Sequence, residues 1–115
     1  MSGVAAYQNA VNADPRKVEA DLFRRIVFGL RQAKQTKSLP AAIKSIVETR
    51  VLWTALLNDI NQEGNRLPQE LKRGLGIVGL SILKEIDNNE FGSVDLDFLI
   101  EVNQQVLGGL EADPA

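Results

Sequence analysis

Apolar residues recur at alternating steps of three and four along several long stretches of this chain, and that spacing confines it to helices packed side by side. The clearest run is Leu39, Ile43, Ile46, Arg50, Trp53, Leu57 and Ile60. It forms the seam of a helix nearly parallel or antiparallel to its neighbour, predicted to open at Ser38-Leu39-Pro40 and to run to about Asn61. Upstream, Asp14-Pro15 places a capping acceptor before a proline at the first helical position, where the missing N–H costs nothing. That helix should reach about Gln35, with Val18, Leu22, Ile26, Leu30 and Ala33 as its stripe, widened by Phe23 and Val27. A short helix is expected before it, over residues 4–11.

Downstream, residues 61–65 contain Gly64 and read as a loop. The next helix starts near Leu67-Pro68 and ends around Asp87, before Asn88-Asn89. Leu71, Leu75, Val78, Ile82 and Ile86 are its seam. Leu80 and Leu83 carry the apolar face so far round that this helix is expected to be central. Residues 74–83 also read as a buried strand, but Glu70, Lys72, Lys84 and Glu85 at helical spacing favour the helix. The last helix takes Ser93 as N-cap and Asp95 and Asp97 in its first turn, where carboxylates suit the positive end of the dipole. Leu96, Leu99, Ile100, Asn103, Val106, Leu107 and Leu110 face inward, Gly108-Gly109 marks the stop, and residues 111–115 form a frayed tail. The fold class is therefore all-α, a compact bundle of four to five helices in a single domain over residues 1–115.

Composition removes several functions. Cysteine and histidine are both absent, so the chain lacks disulfides, the usual zinc ligands, a thiol nucleophile and the commonest general base near neutral pH. No cofactor or metal is expected. The net charge is −2, and the densest basic groups, Arg24-Arg25-Arg31-Lys34-Lys37 and Lys72-Arg73, fit solvated helix faces better than a nucleic-acid stripe. The most apolar stretch, 74–83, is about half the length a membrane-spanning helix requires. The start, Met1-Ser2-Gly3-Val4-Ala5-Ala6-Tyr7, lacks the basic region and apolar run of a secretory signal. A cytoplasmic location is expected.

Four features invite a functional reading. Gly74-Leu75-Gly76-Ile77-Val78-Gly79 matches G-x-G-x-x-G, but a dinucleotide loop needs a preceding strand, and here a proline-started helix precedes it. Gly76 and Gly79 are better placed on the buried side of that helix, letting a neighbouring backbone approach. Arg50 interrupts the 39–60 stripe as Asn103 interrupts the last one. A guanidinium facing a core must find acceptors, either Asn103, helix-end carbonyls, Asp97 or Glu101 within the chain, or a partner across a groove. Trp53, the sole tryptophan, reads as core first and as an interface anchor second. Phe28 falls on the polar side of its helix, among Asp21, Arg24, Arg25, Arg31 and Gln32. The carboxylate pairs Asp95/Asp97 and Glu85/Asp87 suit helix ends, not an acid–base dyad.

Several of these residues fall in one order: Ala6-Tyr7, Thr49-Arg50-Val51-Leu52-Trp53, Asn65-Arg66-Leu67-Pro68 with Leu71-Lys72, Leu80-Ser81-Ile82, then Leu99-Ile100-Glu101-Val102-Asn103-Gln104 and Gly109-Leu110. In that order and spacing the chain resembles the FlaF family over nearly its whole length. Thr49 stands where the family has asparagine, Gln104 where it has arginine, and Leu83 where an aromatic is common. The resemblance implies a cytoplasmic, non-enzymatic factor needed for flagellin synthesis and secretion. Its partner would be flagellin, bound as by a secretion chaperone, and it would act opposite a second regulator, FlbT, on translation of flagellin mRNA. An amphipathic flagellin helix would lie in an apolar groove. Trp53, Leu57 and the Asn65-Arg66-Leu67-Pro68 corner are expected to border that groove, with Phe28 as a second candidate.

Overall fold

Ser38 and Asp95 open two of the helices by accepting from backbone N–H groups that lack a helical partner. The computed structural model describes the backbone of residues 15–111 and the side chains of residues 19–111. Within them lie α1 (Pro15–Thr36), α2 (Leu39–Ile60), α3 (Gln69–Asp87) and α4 (Leu96–Glu111), with a 3-10 turn at Phe91–Ser93. The all-α bundle expected from periodicity is the observed class, and residues 74–83 are helix, not strand. The expected helix over 4–11, the Asp14 cap, the side chain of Val18 and the tail beyond Glu111 lie outside the described residues.

The link between α1 and α2 is as short as a helical hairpin permits. Ser38 N–H donates to Ala33 O and Lys37 N–H to Lys34 O, the double closure that follows a residue in the left-handed region. That residue is Lys37, at φ 53°. Ser38 then caps α2, its hydroxyl accepting from Ala41 N–H at 3.2 Å, with proline in the first turn. A lysine at positive φ is strained where glycine is not. Lys37→Gly is therefore expected to raise the unfolding free energy by up to about 1 kcal/mol. Urea denaturation checks it, and a destabilised variant would contradict the strain.

Charge and hydrogen-bond pairs fix the directions. Arg24 meets Glu111, Arg31 meets Gln104 and Lys34 meets Asp97, so α1 and α4 run antiparallel. Arg25 pairs with Glu48 at 3.1 Å, and α1 and α2 are antiparallel too. A Cβ placed on Gly29 would come within 2.6 Å of Ser45 Oγ, so these two helices approach closely there. The most extensive pairings are α1 with α4, then α1 with α2, then α2 with α3. The expectation that the 69–87 helix is central therefore fails. It packs chiefly on α2, and Leu80, read as an extension of its buried face, points to solvent.

The seams are also rotated. In α1 the buried set is Ala20, Phe23, Ile26, Val27, Leu30 and Ala33, while Leu22 is 43% exposed. In α2 it is Ala42, Ser45, Ile46, Thr49, Trp53 and Ile60, while Leu39 and Arg50 are exposed. Because α1 and α3 flank α2 on two sides, its buried arc takes in small polar residues that an apolar count passes over. Thr49 tolerates burial by donating from Oγ1 to Ser45 O at 2.7 Å, a local bond that removes its desolvation penalty.

The start of α4 differs from expectation by two residues. Ser93 lies in the 3-10 turn, and Asp95 is the cap, its Oδ1 accepting from Phe98 N–H at 3.0 Å. Glu85 of α3 accepts from Asp95 N–H at 3.0 Å and ties the two helices. Gly108-Gly109 does not stop α4, which continues to Glu111. There Arg24 hydrogen-bonds Glu111 and Asp21 across and along the helices, and these bonds raise the arginine pKa.

Candidate partner-binding surface

Trp53 has no exposed surface. Phe23 meets its ring edge-on, with centroids 5.6 Å apart and planes at 77°, a favoured aromatic geometry. Its Nε1–H donates to Asn103 Oδ1 at 2.8 Å, and Asn103 Nδ2 donates to Leu99 O at 2.7 Å. Asn103 is likewise fully buried. The residue that Asn103 meets is therefore tryptophan, not Arg50. Arg50 points outward and pairs with Asp87 through Nε at 2.8 Å. As a member of the core, Trp53 cannot border a groove in this fold.

The hydrogen bond from Arg50 holds the Asp87 carboxyl below its ordinary range. A carboxyl depressed in the folded state adds stability above its unfolded pKa and loses it as pH falls through the folded value. Asp87→Asn should therefore melt slightly below wild type at neutral pH, with the two converging in acid. The difference is small, because water screens an exposed pair. Melting temperatures taken downward from neutral pH check this, and a gap that widened in acid would reverse the assignment.

The two glycines singled out in α3 behave differently. A Cβ on Gly79 would lie 2.7 Å from Leu57 Cδ2 and 2.9 Å from Trp53 Cε3. The missing side chain thus admits side chains of α2, not a backbone. Around Gly76 and Gly74 a Cβ would meet nothing within 4 Å, so Gly76 is not a packing glycine. All three lie inside continuous helix, where backbone N–H groups serve i→i−4 bonds and cannot cradle a phosphate.

The turn before α3 is closed from within. Asn65 Oδ1 accepts from Leu67 N–H at 3.0 Å, its Nδ2 donates to Asp59 Oδ2 at 3.3 Å, and Lys72 Nζ donates to its carbonyl at 2.9 Å. Asn65 therefore builds the corner, while Arg66, Leu67 and Pro68 are displayed on it. Leu57 is half-buried, with its methyls over Gly79. Phe28 is 64% exposed but sits on α1, which has no extensive packing with α3. The structure does not bring Phe28 to the corner.

Beyond the corner, the outer face of α3 is apolar and uncovered. Ile77 is 62% and Leu80 64% exposed. Bare backbone at Gly74 and Gly76 lies beside them. Gly79 sets this arrangement, since seating one side of α3 against Trp53 and Leu57 turns Ile77 and Leu80 outward. Apolar spacing assigns Leu80 to an extension of the seam and leaves out Ile77. The available signal was the glycine-rich run beside them, which left α3 little bulk for a second packed face. Such a surface can take the apolar side of another helix. Among the described residues no acidic cluster could hold a metal, and no helix is long and apolar enough to cross a membrane.

A family model described as FlaF, flagellar protein FlaF, matches residues 4–110. No curated protein and no solved structure matches the chain.

Proposed function

Because this chain belongs to the FlaF family of flagellar proteins, we propose that it is a non-enzymatic, cytoplasmic flagellin-binding protein that supports flagellin synthesis and secretion. The observation carrying this reading is the family match across residues 4–110. The uncovered outer face of α3 gives it a physical form. An amphipathic flagellin helix can lay its apolar side along Ile77 and Leu80. Arg66, Leu67 and Pro68 extend the contact at one end. Opposition to FlbT would then follow from control over free flagellin, without contact to its mRNA.

Calorimetric titration of the full-length protein with flagellin tests the reading. Leu80→Glu should weaken binding by about tenfold or more, as expected for a central apolar anchor, with the melting temperature unchanged. Phe28→Ala, on a separate helix, should leave affinity within about twofold, since a lone exposed apolar residue need not contribute. No measurable binding of flagellin by wild type would end the proposal. A loss confined to Phe28→Ala would move the site to α1.

A further inference from the structure

We propose that two copies of this chain pair antiparallel through the outer face of α3, with Ile77 on the twofold axis. Glu70, Gly74, Ile77, Leu80, Ser81 and Lys84 are all exposed on that face, at the steps of three, four and seven that make a helix–helix seam. Glu70 and Lys84 stand seven residues on either side of Ile77, about 10.5 Å along the helix. In an antiparallel pair centred on Ile77, Glu70 of each copy comes opposite Lys84 of the other. A parallel pair would set Glu70 against Glu70 and Lys84 against Lys84. Both arrangements satisfy twofold symmetry, and the charge order selects the antiparallel one. Among the described residues, neither side chain forms a salt bridge within its own chain.

Shape agrees with charge. On one flank of the seam lie Gly74 and Ser81, the two small residues. The space beside Gly74 is open, and Ser81 Oγ already donates to Ile77 O at 2.9 Å. That flank can therefore close without stranding a hydroxyl. On the other flank, Leu80 of one copy lies along the aliphatic stem of Arg73 of the other, whose charge stays in water. The apolar contribution of two isoleucines and two leucines falls well short of a standard interface, so a weak dimer is expected, with a dissociation constant on the order of 0.1 mM. Under the flagellin reading the two occupants would compete for one face. The pairing itself does not rest on that reading and is measured without flagellin.

Sedimentation equilibrium on the full chain, up to about 1 mM, gives the test. Wild type should show a reversible monomer–dimer equilibrium, and Ile77→Glu should abolish it. Glu70→Lys or Lys84→Glu alone should weaken the dimer about tenfold, because each turns two attractive pairs into repulsive ones. The two changes on one chain should restore it to within about twofold, and mixing the single variants should give a heterodimer tighter than either alone. Melting temperatures should stay level, since all three side chains are exposed. A monomer throughout the range overturns the proposal, as does a dimer that survives Ile77→Glu or ignores both charge reversals.

Discussion

Trp53→Ala is expected to lower the unfolding free energy by about 4 kcal/mol. Its ring is fully enclosed, against the edge of Phe23 on α1 and beside Gly79 on α3, so no open route exists for the cavity to collapse. The change also strands Asn103 Oδ1, whose donor is Trp53 Nε1–H. A domain of this size has roughly 5–15 kcal/mol in total, so the variant would be marginal. Trp53→Phe separates the two effects. It keeps most of the ring and removes the donor, leaving a buried acceptor alone at about 1–3 kcal/mol. Combining it with Asn103→Leu should recover part of that loss, because both polar partners are then gone. Urea denaturation followed by circular dichroism measures all three. A loss below about 1 kcal/mol for Trp53→Ala would mean that the ring is not the centre of the core.

Gly79→Val should cost about 2–3 kcal/mol, whereas Gly76→Ala, one turn earlier, should gain about 1 kcal/mol. The glycines share a helix, yet the signs are opposite. At Gly79 even a Cβ enters the space of Trp53 Cε3 and the Leu57 methyls. Leu57 can swing away because it is half-exposed, but the Trp53 ring is held on every side. At Gly76 nothing lies within 4 Å, so alanine adds only helix propensity. Gly79→Ala should fall between them, its propensity gain outweighed because the Cβ meets the enclosed Trp53 ring as well as Leu57. Equal effects at the two positions would contradict the close approach of α3 to α2.

Helix positions are legible in this sequence because proline and short capping side chains punctuate it. Pro15, Ser38 with Pro40, and Pro68 each stand at or beside an observed start. The facing of each helix is less legible, since an apolar count assumes that bulk turns inward. Leu80 is bulky and outside, while Thr49 and Asn103 are polar and inside with their bonds made locally or to tryptophan. Spacing alone draws Arg50 into the seam, and a one-residue rotation of α2 gives its place to Thr49. Asp95 was visible as a first-turn carboxylate, but its role as the cap depended on the 3-10 turn absorbing Ser93. Of the surface residues inferred from sequence, Arg66, Leu67, Pro68 and Phe28 are displayed, Leu57 is partly so, and Trp53 is enclosed. Nothing in the spacing around Trp53 shows which of its faces Gly79 will cover, because that depends on a helix that follows a turn.

The broadest helix pairing joins α1 to α4, with bonded partners as far apart as Arg24 and Glu111, 87 residues along the chain. A ribosome delivers these halves in sequence, so α1 waits without its most extensive packing partner until α4 has emerged. The local hairpin of α1 and α2 can form early, but closing so long a loop must come late. The nascent chain is thus stickiest just before it is finished, and premature termination within α4 would release an open apolar trough instead of a slightly smaller bundle.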